Sequence, residues 1–369
     1  MSRSMSTIMS VVLLAAASGV AVAQDDSATV PMWSATTKSG AADVTAFGDG
    51  YVLVGGAGQK EQARAWSSAD GRTWARAKKD PVFKGAAMSK VAAFDGGVAA
   101  LGSMGRKLLA WSSADGRSWQ RKTIGHAGKG MSLFPAALTD GPAGLLAAAH
   151  LVGQDLAGQS MYLSSDGRSW QKIEPPLPSS EGMVVALTAD ADEYLAVARS
   201  TSGTTSDLYF RSADGRSWTP FAGPENGALY DLAVGADGTY AAVGRLAEGD
   251  AGRSAIWHAS ELGTWQLVHS SASTKETEER LDVIDAAGPG FIASGITSGC
   301  PDQPRSCPTA AILESADGIV WASLGVADGV PGPLHDTAVV AAATNGADTV
   351  LLAWHDARPA EVWTQPGVE

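Results

Sequence analysis

Ser68-Ala69-Asp70-Gly71-Arg72-Thr73-Trp74 is the stretch on which the fold turns, because the chain repeats it. It returns as Ser113-Ala114-Asp115-Gly116-Arg117-Ser118-Trp119, as Ser164-Ser165-Asp166-Gly167-Arg168-Ser169-Trp170 and as Ser212-Ala213-Asp214-Gly215-Arg216-Ser217-Trp218. A fifth copy, Ser315-Ala316-Asp317-Gly318-Ile319-Val320-Trp321, departs only before its Trp. A decayed one ends at Trp265, with Ala259, Glu261 and Leu262 where the others have Ser, Asp and Gly. The successive Trp residues lie 45, 51, 48, 47 and 56 positions apart. That period belongs to one blade of a β-propeller rather than to a helical repeat.

Each repeat holds four strand-like runs. In the first they are Asp43 to Phe47, Tyr51 to Val54, Ala63 to Ser67 and Thr73 to Ala77, with Gly-Asp-Gly, a polar loop and Asp-Gly between them. This is a four-stranded meander. The Asp-Gly pair supplies the positive backbone angle of a tight hairpin, Ser and Asp can accept turn N–H groups, and the Trp offers apolar surface to a neighbouring blade. The termini complete the count: Pro31-Met32-Trp33-Ser34 looks like a last strand, Glu361-Val362-Trp363-Thr364 like a third strand, and Trp33 lies 41 residues before Trp74. The expected fold is therefore all-β: a seven-bladed β-propeller of four-stranded antiparallel blades, its ring closed by the N-terminal strand joining the C-terminal blade. Six or eight blades are the alternatives.

The bulk numbers agree with a packed, turn-rich chain: 369 residues, 18% charged, 43 Gly. A net charge of -12 with no basic run excludes a nucleic-acid partner. Residues 1–23 read as a Sec-type signal peptide, with Arg3, an apolar stretch from Ile8 to Val22, and Ala21-Val22-Ala23 before an expected cut after Ala23. The stretch is short for a membrane span, so no span is expected after cleavage. Residues 24–30 follow as a linker and 31–369 as one propeller domain, in a secreted or periplasmic protein expected to be a monomer. In that oxidising setting Cys300 and Cys307 are expected to form a local disulfide.

The repeat resembles the BNR or Asp-box repeats of bacterial sialidase-superfamily propellers. The match runs through Val44 to Gly55 and Ser68 to Trp74, and the likeness extends over the chain from about residue 30. The copies here are one residue shorter than the usual Asp-box. The resemblance implies that the box lies on the hairpin between third and fourth strands, at the periphery. Asp70, Trp74, Asp115, Trp119, Asp166, Trp170, Asp214, Trp218, Trp265, Asp317, Trp321 and Trp33 are thus structural positions. The Gly-His and Trp-Asp marks of WD40 repeats are missing.

Chemistry is sought in the irregular loops of the opposite, upper face. His335-Asp336 and His355-Asp356 flank one hairpin around Asn345-Gly346 and could share a rim, either as a divalent-cation or acid–base cluster or as strand caps. Asp43, Asp231, Asp282 and Asp336 stand near first-strand starts of consecutive blades. There they could line the channel mouth for a cation or sugar hydroxyl, or accept N–H groups from the next blade. A sialidase-type site would need an Arg cluster and a Tyr–carboxylate pair. Tyr230 beside Asp231 is the one nucleophile-like pair, and Arg199, Arg245, Arg253, Arg280 and Arg358 fall in loop positions, but no Arg precedes Arg64 in the mature chain. No cofactor is called for, a divalent cation being the one the sequence leaves room for. Three functions follow, in order: a non-catalytic binding or scaffold propeller holding a protein or glycan by its upper loops, a carbohydrate-active hydrolase or lyase acting at the channel mouth, and an assembly factor for another exported protein.

Overall fold

The structure, a computed structural model, describes residues 33–366 apart from 58–61, 79, 154–156, 201–207, 247–252, 272–277, 289, 301–302, 326–336 and 356–358. Residues 1–32, which include the expected signal peptide and linker, lie outside the described residues, as do His335, Asp336, Asp356, Arg358 and the side chains of Cys300 and Cys307.

Seven four-stranded antiparallel sheets are present. Blade I comprises Ala41–Phe47, Gly50–Ala57, Gln62–Ser68 and Ala75–Arg76, and blade II Ala87–Phe94, Gly97–Met104, Lys107–Ser113 and Gln120–His126. Blade III is Met131–Thr139, Leu145–Gly153, Ala157–Ser164 and Gln171–Ile173, and blade IV Gly182–Ala189, Tyr194–Ser200, Leu208–Ser212 and Thr219–Pro220. Blade V is Gly227–Val234, Tyr240–Leu246, Arg253–Ala259 and Gln266–Ser270, and blade VI Glu278–Ala287, Gly290–Cys300, Gln303–Ser315 and Ala322–Ser323. Blade VII takes Thr337–Thr344, Asp348–His355 and Glu361–Pro366 from the C-terminal end and Ser34–Thr37 from the N-terminal end. Ser34 pairs with Thr364 and Thr37 with Glu361, so the ring closes as the split repeat requires. Closure covers an edge that would otherwise offer unpaired backbone groups.

The Asp-Gly hairpins are built alike. In each of the five clear copies the Asp Oδ1 accepts the N–H groups two and three residues on, at 2.9 and 2.7 Å for Asp70 and 2.8 and 2.7 Å for Asp115. Asp166, Asp214 and Asp317 repeat the pattern. The preceding Ser hydroxyl donates to the same carboxylate, and the Gly sits at φ between 64° and 71°. With the Arg72 and Thr73 N–H groups committed to the carboxylate, the fourth strand of blade I begins at Ala75 rather than at Thr73. The Trp74, Trp119, Trp170 and Trp321 indoles donate back to the hairpin Gly carbonyl, whereas Trp265 of the decayed copy donates to the carbonyl of Ala222, in the connection from blade IV to blade V. Trp218 buries its Nε1 without an acceptor among the described residues.

Each hairpin rests on the preceding blade. A Cβ at Gly71 would meet Val350 and Thr364 of blade VII, at Gly116 Val52 of blade I, and at Gly318 His258 of blade V, all within 2.9 Å. Thr364 also donates its hydroxyl to Gly71 O at 2.8 Å. The repeated phrase is thus an inter-blade clamp. Its Trp residues join cores shared by two blades, as Trp119 does with Val52, Val54 and Leu109.

A second regularity shapes the interior. All seven first strands carry a β-bulge at one level: between Ala41 and Asp43, Met88 and Lys90, Pro135 and Ala137, Val184 and Ala186, Leu229 and Asp231, Leu281 and Val283, and Val339 and Ala341. The residue paired just before the bulge is Gly55, Gly102, Gly244 or Gly295 in four blades, where a Cβ would stand 1.9 Å from a carbonyl oxygen in, or for Gly55 just ahead of, the first strand. The other three blades place Ala149, Ala198 and Ala353 there. A bulge bends its strand and re-aims the side chains that follow.

Candidate functional site: the channel and its mouth

The seven bulged strands surround a cavity of about 550 Å³ that every blade helps to line. Most lining residues are small and apolar, as at Ala137, Ala186 and Ala341, yet the exposed wall is more polar than apolar, and the polar side chains carry the chemistry. Asp43, Lys90 and Asp231 occupy equivalent positions immediately after the bulge in blades I, II and V. Asp285 stands two residues further along blade VI, where other blades place Thr45, Thr139, Thr188 or Ala. The acidic lining therefore includes two members that sequence reasoning missed, Asp285 and, just past the end of the first strand of blade III, Asp140, and one opposing charge, Lys90.

Three of these carboxylates tie blades together. Asp43 accepts from Val44 N at 3.0 Å and from Val91 N of blade II at 2.9 Å. Asp231 accepts from Leu232 N at 3.0 Å and from Ile284 N of blade VI at 3.1 Å. Asp285 accepts from Ala342 N of blade VII at 3.3 Å. Each contact gives a first-strand N–H, freed near the bulge, an acceptor. Burial raises all three carboxyls above the ordinary range, Asp231 to about 6 and Asp285 to about 8, where the negative charges of Asp231 and Asp43 add to the effect of burial. For Asp43, Lys90 and the two N–H donors oppose the rise. The channel thus holds a proton near neutral pH, chiefly on Asp285.

At the mouth, where first strands begin and second strands end, the remaining named residues separate. The Arg199 guanidinium of blade IV lies 4.9 Å above the centre of the Tyr230 ring of blade V. Tyr230 is the bulged residue of its strand and lines the channel, so the Tyr230–Asp231 pair puts a phenol at the opening and a carboxylate below it, held by backbone. Asp282, the bulged residue of blade VI, is bound to Arg280 at 2.7 Å. Arg245 is exposed. Phe134, Val152 and Trp354 stand 49%, 47% and 46% exposed at the same end of blades III and VII.

His355 is the one member of the proposed His–Asp cluster among the described residues. It is buried inside blade VII, with Nδ1 2.9 Å from Thr337 Oγ1 and Nε2 3.8 Å from Glu361 Oε2. That oxygen also accepts the Trp363 indole N–H at 2.9 Å. Among the described residues no group of three or more His, Cys, Asp or Glu is placed to hold a metal ion. No described helix is long and apolar enough to cross a membrane.

No protein-family model and no curated protein sequence matches the chain. Solved structures do. The GH74 xyloglucanase from Xanthomonas campestris superposes with a TM-score of 0.55 over 89% of this chain and 55% of its own, at 15% identity. A puromycin hydrolase gives 0.54 over 88% of this chain and 51% of its own, at 13% identity. The Hadza microbial sialidase Hz136 gives 0.48, covering 84% and 74%, at 14% identity. The chain spans about half the length of the first two, and at these identities the likeness is one of fold.

Proposed function

We propose that this is a non-catalytic binding propeller, exported by its N-terminal signal, that grips a protein or glycan by the face around the channel mouth. One observation carries the reading: Asp43, Asp231 and Asp285, the carboxyls at the level of the bulges, each spend an oxygen on a backbone N–H of the next blade. The groups left to meet a ligand are of the binding kind. Aromatic and Arg side chains concentrate energy at recognition surfaces, and here Phe134 and Trp354 are exposed while Arg199 is stacked on Tyr230. Another exported protein, whose assembly this one assists, is a partner of the same class.

The test is capture of partners from the cell envelope of the source organism, with glycan-array binding beside it. Wild type is compared with Arg199→Ala, Phe134→Ala and Trp354→Ala. The reading expects a protein or glycan retained by wild type and lost from at least one variant. Equal retention by all four, or by none, counts against it.

One observation favours the second reading, a carbohydrate-active hydrolase. A carboxyl kept protonated near pH 7, as Asp285 is by burial and by its acidic neighbours, has the state a general acid needs. Release of reducing ends from xyloglucan or another soluble polysaccharide, abolished by Asp285→Asn, would favour it over the binding reading.

A further inference from the structure

Both asparagines of the chain, Asn226 and Asn345, are followed by glycine, and the fold treats them oppositely. Asn345 is locked. Its Oδ1 accepts the N–H groups of Ala347 at 3.0 Å and Asp348 at 2.9 Å, and its Nδ2 donates to Asp49 O at 2.9 Å. The following Gly346 N–H is engaged too, donating to Thr344 Oγ1 at 3.1 Å. Asn226 is exposed, and no hydrogen bond holds its side chain among the described residues. It is also the one non-glycine residue at positive φ there, at 54°.

We propose that Asn226–Gly227 is a self-modification site, at which the chain converts an amide into an acid with water as the only co-reactant. The main-chain nitrogen of Gly227 attacks Cγ of Asn226, forming a C–N bond. The Cγ–Nδ2 bond breaks, ammonia leaves with the proton taken from the attacking nitrogen, and a five-membered succinimide remains. Water then opens the ring at either carbonyl to give aspartate or isoaspartate. Nothing is oxidised or reduced. Glycine at the next position favours the attack because no side chain obstructs the nitrogen. At Asn345 the same attack requires release of the carboxamide and of the attacking nitrogen from their partners, each release adding to the barrier.

The place gives the change a consequence. Gly227 opens the first strand of blade V and packs against Trp257, where an added Cβ would stand 2.5 Å from the indole. Leu229 N then donates to the Tyr209 hydroxyl at 3.1 Å, and Tyr230 follows at the channel mouth. Aspartate adds a negative charge at this entry, and isoaspartate also adds a methylene to the main chain ahead of the bulge.

The experiment ages the purified mature protein in mildly alkaline buffer and maps its peptides by mass spectrometry, with isoaspartyl methyltransferase labelling as a second readout. Conversion at Asn226 is expected at least about tenfold faster than at Asn345 in the folded protein. In denaturant the two should converge, since both are then plain Asn-Gly pairs. Labelling should vanish from Asn226→Gly, which keeps the left-handed backbone, and from Asn226→Gln. Equal conversion of both sites in the folded protein overturns the proposal. So does a silent Asn226 in folded protein whose denatured form converts.

Discussion

Replacing Asp285 by Asn should stabilise the protein in alkali and leave it unchanged in acid. The Asp285 carboxyl is pushed up to about 8 by burial first, then by the charges of Asp231 and Asp43. In the unfolded chain it titrates near the ordinary value of about 4. Between those values the folded state holds a proton that the unfolded state has lost, so stability is fully present below the unfolded pKa and drains away as pH rises towards 8. Each unit is worth about 1.4 kcal/mol, which bounds the effect at roughly 6 kcal/mol, and the screening expected of a carboxyl facing an open cavity reduces it to about 1–3 kcal/mol. An Asn keeps an oxygen for the Ala342 N–H and never ionises. Urea unfolding followed by Trp fluorescence at pH 4, 6.5 and 9 reads the difference. Wild type and variant should coincide at pH 4 and separate progressively, with the variant the more stable by about 1–3 kcal/mol at pH 9. A variant less stable by the same amount at every pH would refute the reasoning, since it would make the carboxylate's bond to Ala342 dominate over its desolvation.

The clamp hairpins predict the opposite pH trend. The Asp115 carboxyl is held down to about 2 by the N–H groups of Ser118 and Arg117, so Asp115→Ala should cost about 1–2 kcal/mol near pH 7, a gap that closes in acid unfolding as pH falls from about 4 towards 2. Gly102→Ala, whose Cβ would stand 1.9 Å from Ala87 O, should cost about 3 kcal/mol or more in urea, against about 1 kcal/mol for Gly105→Ala, which sits at φ 56° in open space. Deleting the chain through Thr37 should uncover the Glu361–Pro366 edge, broaden the unfolding transition and increase self-association on size-exclusion relative to the full chain. Tyr51→Phe removes the hydroxyl that donates to Asp348 O across the blade I to blade VII junction and should lower stability by about 1 kcal/mol.

What the sequence discloses and what it hides divide along the range of the interactions. The clamp is legible because its hydrogen bonds, from Ser68 to Asp70, Thr73 to Asp70 and Trp74 to Gly71, span three residues or fewer, so the pattern survives in a linear string five times over. Ring closure is legible for a related reason: Trp33 keeps the register of a repeat whose other strands lie at the far end of the chain. The channel is different. Asp282 and Asp285 lie three apart, which in a regular strand sends their side chains to opposite faces. Only the bulge between Leu281 and Val283 changes that alternation, and its local mark, Gly295 on the partner strand, reads in sequence as one more glycine in a chain of 43. Lys90 escaped notice likewise, since its equivalence to Asp43 and Asp231 rests on bulge register and not on residue type. The Arg199–Tyr230 stack joins blades IV and V, whose contacts no short motif encodes. In a propeller the conspicuous repeats therefore mark where blades are clamped. The chemistry has to be sought at first-strand positions where one blade departs from its siblings, and Asp285 is such a departure.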